Sequence, residues 1–123
     1  MGCDHMATYM ILIYGDAQQW DAMTDEQRKA HDAAHEEFAK AAGSRVIAGH
    51  ELASAPTGTS LRMGRSGRVV ATDGPFLETK EALGGYYLIE AADLDEVISL
   101  ATLLPEVHAT HSGVEIRPVV DHG

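Results

Sequence analysis

A chain of 123 residues, 45% of them hydrophobic, is long enough for one domain with a real core and too short for two. Nine Lys and Arg against 19 Asp and Glu leave a formal charge of −10, which excludes direct nucleic-acid or anionic-membrane binding as a general mode, because both need clustered cations. No run of about 18 apolar residues and no basic-then-apolar leader precedes the first strand, so a soluble, cytoplasmic protein is expected.

His5-Met6 is a pair that a common cloning site encodes, and Met6-Ala7-Thr8-Tyr9 reads as a natural start. Residues 1–5 are therefore read as a tag remnant and 6–123 as a single domain. Cys3 is the one cysteine, so no disulfide, thiol nucleophile or cysteine zinc site is expected.

In chain order, the unbroken apolar run 9–14, Tyr-Met-Ile-Leu-Ile-Tyr, predicts a strand covered on both faces. Residues 17–23 read as a loop holding Trp20. Thr24-Asp25-Glu26-Gln27 is a capping box with acids in the first turn, and it starts a helix to about Ala42, stopped by Gly43. Ala30, Ala34, Phe38 and Ala41 are its expected buried stripe. A weaker strand follows over 45–52, then a Pro/Gly/Ser/Thr-rich link over 54–60. Residues 61–63 and 69–71 flank Arg65-Ser66-Gly67 as a hairpin. A polar loop opens at Asp73-Gly74-Pro75 and closes at Gly84-Gly85, feeding a second strongly apolar strand over 86–91. Asp93 caps a helix to about Leu104, closed by Pro105, and 114–120 forms the last strand.

The order is strand–helix–strand, an inserted hairpin, then strand–helix–strand. That is an α+β, ferredoxin-like βαββαβ pattern, which places the first and third main strands in the centre of the sheet. Two helices cover one face only, yet both central strands are apolar on both faces. A second copy packed against the open face, a homodimer, is the expected answer.

Tyr9 to Asp16, the Thr-Asp-Gly-Pro-Phe-x-Glu-Thr-Lys-Glu stretch from Thr72 to Glu81, Leu83 to Tyr87 and Val114 to Pro118 together resemble the YCII-related, Asp-Gly-Pro-Phe-containing proteins. The resemblance implies the dimeric α+β barrel superfamily. It also implies two roles: a small acid–base enzyme using a His–Asp pair, or a non-catalytic module that works beside alternative sigma factors through a transcription-related protein partner.

The candidate residues follow. Asp73 is a general base or a turn residue accepting backbone N–H bonds. Gly74 supplies a dihedral that a side chain forbids, and Phe76 is expected to plug the core. Glu78, Lys80 and Glu81 line a pocket, with Lys80 as the cation for a small anionic ligand, or form a solvated turn whose ion pairs are worth about 0.2–1 kcal/mol each. Glu115 and Arg117 share one face of the last strand, where Arg117 suits a carboxylate clamp. Tyr14, ending the first strand, joins the ligand-contacting set. His31 and His35 have the i, i+4 spacing of a helical metal pair, but no third ligand is evident and no metal is expected. His35 matches the helical histidine of the relatives, and with Asp73 and Glu81 it forms the candidate acid–base group. Its partner acid is not visible by spacing. His108 and His111 are expected to face solvent. No phosphate loop, dinucleotide fingerprint or nucleophile elbow is present, so no cofactor is expected and the chemistry is read as proton transfer, isomerisation or elimination.

Overall fold

The computed structural model describes residues 6–123, so the expected tag remnant lies outside the described residues. The elements are β1 (Ala7–Asp16), α1 (Ala17–Asp21), α2 (Asp25–Ala42), β2 (Val46–Glu51), β3 (Thr59–Met63), β4 (Val69–Asp73), β5 (Glu81–Ala91), α3 (Leu94–Ala101) and β6 (Ser112–Pro118), with a 3₁₀ turn at Pro105–His108. The main sheet has the order β2-β5-β1-β6, with every neighbouring pair antiparallel, and β3-β4 form a separate hairpin. This is the ferredoxin-like α+β arrangement, with the two most apolar strands in the centre.

Alternation along β1 decides what each sheet face does. Tyr9, Ile11 and Ile13 are buried beneath the helices, and Val114 and Ile116 of β6 join them in register. Phe38 of α2, Val97 of α3, Ile89 and Leu104, each without solvent exposure, complete the core. Met10, Leu12 and Tyr14 point to the opposite face, opposite Arg117, Glu115 and Gly113. Among the described residues, no helix is long and apolar enough to cross a membrane.

Several expectations shift. The segment holding Trp20 is not a loop but a five-residue helix, with Asp16 accepting a 2.9 Å bond from Gln18 N as its cap. The capping box of α2 forms as read, with Thr24 and Gln27 exchanging bonds of 2.9 and 3.1 Å. Its inward stripe is different: Phe38 and Ala42 are buried, and the turns before them present His31, Ala34 and His35, while Ala30 and Ala41 are exposed. Alanine is small enough to lie on either flank, so the heavier side chains set the rotation of the helix. α3, the helix read from Asp93, stops at Ala101, not Leu104, because the chain tightens into i→i+3 bonds from Leu103 N to Leu100 O and Leu104 N to Ala101 O.

The hairpin also corrects a reading. Phe76 is 56% exposed and does not plug the core. Its ring lies 3.9 Å below the Arg62 guanidinium, a surface cation–π contact. Gly74 does take a positive φ, +105°, and its N–H and C=O tie the loop to Gly58 O and Ser60 Oγ.

Candidate functional site

α2 carries Arg28, His31 and His35 at spacings of three and four, so all three project from one face. Opposite them, β5 presents Tyr87 on the helix-covered side, packed against Phe38 at 4.5 Å between ring centroids. The third contribution comes from the 3₁₀ turn. Leu104 is anchored in the core, Pro105 fixes the first backbone angle of the turn, and Ser112 Oγ holds the Glu106 carbonyl at 2.9 Å. The Glu106 side chain is thereby turned inward and is 4% exposed.

The three elements meet at one carboxylate oxygen. Glu106 Oε2 lies 2.8 Å from His35 Nε2 and 3.1 Å from His31 Nε2. The far nitrogen of His35, Nδ1, lies 2.7 Å from the Tyr87 hydroxyl. Burial alone would push the Glu106 carboxyl up, but hydrogen bonds from His31 and His35 and the charge of His35 hold it down at about 2. The Glu106 bond raises His31 above its ordinary value, against the opposing effect of burial. Burial and the Glu106 charge both raise Tyr87, so it stays a neutral phenol. Two enclosed atoms, Glu106 Oε1 and His111 Nδ1, have no hydrogen-bond partner among the described residues. His111 is thus turned partly inward, not to solvent as its sequence position suggests.

The cluster floors a cavity of about 600 Å³ bounded by Trp20, Arg28, the glycines 49, 84 and 85, and Tyr86, a volume typical of small-molecule sites. The indole of Trp20 lies on Gly15 and Gly84. A Cβ at Gly84 would stand 2.2 Å from Cζ3 of that ring, and one at Gly15 would stand 2.3 Å from Cζ2, so both glycines are there for close approach. Arg28 is the only Lys or Arg among the described residues lining the cavity. Its 3.7 Å contact to the well-exposed Glu51 is a loose one. Ser54 Oγ donates to Asp21 Oδ2 at 2.9 Å and closes one rim.

Of the residues singled out in sequence, His35 lies in this cluster. His31 of the metal-spaced pair joins it, and Trp20 and the Gly84-Gly85 pair line the cavity, whereas Asp73, Glu78, Lys80, Glu81, Tyr14 and Arg117 do not. Asp73, Glu78, Lys80 and Glu81 are exposed at the base of the hairpin and at the start of β5. The Asp73 carboxylate makes no hydrogen bond among the described residues, to backbone or side chain. Tyr14 and Arg117 are on the uncovered sheet face, where Arg117 pairs with Glu115 two residues away. The acid that sequence spacing could not supply for His35 is Glu106, 71 residues on, and Asp73 does not substitute for it. Neither Arg28 nor Tyr87 is among the site candidates read from sequence: the spacing of Arg28 to His31 is the signal that could have marked the first, and the register that sets Tyr87 beside Ile11 comes only from the folded sheet. Nothing local marks Glu106.

Comparison with known proteins identifies the family. The profile of the YCII-related domain matches residues 7–122. An uncharacterised protein of Rhizobium meliloti (strain 1021) is 31% identical over 115 residues, 90% of each chain.

Proposed function

The chain belongs to the YCII-related domain family, and from that premise we propose that it binds a small polar or anionic molecule in the Trp20–Tyr87 cavity and moves a proton with His35. One observation carries the reading: a single imidazole is held between an ionised, buried carboxylate and a neutral phenol at the floor of a ligand-sized hollow. Glu106 accepts from Nε2–H and fixes the tautomer, which leaves the Nδ1 lone pair toward the Tyr87 hydroxyl. A proton taken from the ligand passes to Nδ1 directly or through the phenol oxygen. The imidazolium so formed is stabilised by Glu106, the same role that an orienting carboxylate plays in other imidazole-centred sites. Arg28, at the rim, attracts the anionic end of the ligand. Trp20 and the glycine floor supply a flat apolar wall.

The working unit under this reading is a homodimer joined through the uncovered sheet face, where Met10, Leu12 and Leu88 sit on the two central strands. Sedimentation equilibrium tests that part separately, and a monomer at micromolar concentration removes it.

The test of the site is a thermal-shift screen of small carboxylic acids and phenols on the wild type, Arg28→Ala and His35→Asn. Compounds that raise the wild-type melting temperature but leave both variants unmoved support the assignment. A hit that stabilises all three alike binds elsewhere and refutes it.

A further inference from the structure

We propose that His31, His35 and Glu106 bind one divalent transition-metal ion of the kind that mixed imidazole and carboxylate donors favour, such as Zn²⁺, Mn²⁺ or Fe²⁺. The i, i+4 histidine pair lacked a third ligand in the sequence, and the fold provides it. One donor atom from each residue lies within 4.8 Å of the others. An ion with bonds near 2.1 Å holds neighbouring donors about 3.0–3.4 Å apart. The two nitrogen-to-Oε2 separations, 2.8 and 3.1 Å, already stand close to that spacing. The donors, all within 4.8 Å of one another, must draw together for the ion to reach all three.

One further feature fits a cation better than a plain hydrogen-bonded cluster, and a second is compatible with a metal in the tautomer opposite to that of the proton relay. Glu106 is almost wholly enclosed, yet its Oε1 has no partner among the described residues. An unpaired oxygen on a buried carboxylate is costly, and an ion bound by both oxygens removes that cost. The second feature is the orientation of His35. With Nδ1–H donating to the Tyr87 oxygen at 2.7 Å, the Nε2 lone pair points at the other donors, as in metal-ligating histidines whose far nitrogen is held by a neighbour. Two imidazoles argue against Mg²⁺ and Ca²⁺, which prefer oxygen throughout. The cluster lines the cavity, so the remaining coordination positions are open to a carboxylate, hydroxyl or phenolate oxygen of a small ligand.

The inference rests on the cavity as the binding site but not on His35 as the proton carrier. A bound ion takes the Nε2 that Glu106 otherwise holds, so metal and proton compete for the same atom. His31 separates the two readings, because it ligates the ion but stands outside the Glu106–His35–Tyr87 relay.

The experiment titrates chelator-treated full-length protein with Zn²⁺ by calorimetry and with Co²⁺ by visible absorption. The expected result is one ion per chain and cobalt d–d bands. Both are lost in His31→Ala and Glu106→Gln, and affinity falls about 10- to 100-fold in Tyr87→Phe. Circular dichroism confirms that each variant is folded, and His31→Gln replaces any alanine variant that is not. Wild-type binding equal to that of His31→Ala and His31→Gln overturns the proposal, as does no binding at all. The proton-transfer reading then stands or falls on the thermal-shift screen, run in chelator.

Discussion

The Asp-Gly-Pro-Phe loop and the His–Glu cluster are opposites. The loop packs Glu78, Thr79, Lys80 and Glu81 into four consecutive residues, and all four are exposed. The cluster draws His31, His35, Tyr87 and Glu106 from three distant segments, and there the pKa values of Glu106, His31 and Tyr87 are displaced. Polar density along a chain therefore says little about chemistry. Convergence in a place with little water matters more, because desolvation and a shared hydrogen bond are what perturb a titratable group.

The comparison breaks most sharply at Glu106. Glu106→Ala leaves two imidazoles beside an enclosed hole and removes the acceptor they share. A loss of about 3–5 kcal/mol is expected, as for buried pairs deprived of one partner. Urea denaturation near neutral pH measures it, and a loss below about 1 kcal/mol would mean that the cluster is not a stabilising unit.

Gly84 tests the wall that encloses the cluster. A methyl group there meets the Trp20 indole at 2.2 Å, and overpacking of this kind costs about 1–3 kcal/mol. Gly84→Ala should lower the melting temperature and change the Trp20 emission spectrum. Unchanged emission would place the ring elsewhere.

Asp73 gives the smallest effect. Its carboxylate is exposed and unbonded among the described residues, so Asp73→Ala should stay within about 0.5 kcal/mol of the wild type. A loss of 2 kcal/mol or more, on the order of a lost cap or buried bond, would restore the loop as a structural centre and weaken the contrast.

Much of the fold was legible because it rests on local rules. The capping box at Thr24, the Asp93 cap, the stop at Gly43, the apolar run around Ile11 and the alternation around Ile116 each depend on residues a few positions apart. The same rules misled where two side chains satisfy one pattern. Ala30 and Ala41 fit the helical period, but the burial of Phe38 and Ala42 rotated the histidines inward instead. Phe76, the most hydrophobic residue of its loop, stayed outside because the two-stranded hairpin has no core of its own to receive it.

By itself the sequence determined the order of the main strands and the two longer helices, the caps at Thr24 and Asp93, the two central strands and the placing of two histidines on one helix face, since all of these follow from backbone periodicity and nearest neighbours. Only the tertiary structure decided which acid meets those histidines. Glu106 is 71 residues from His35, and nothing in its own segment distinguishes it from an exposed acid until Leu104 docks in the core and the turn at Pro105 brings the carboxylate inside.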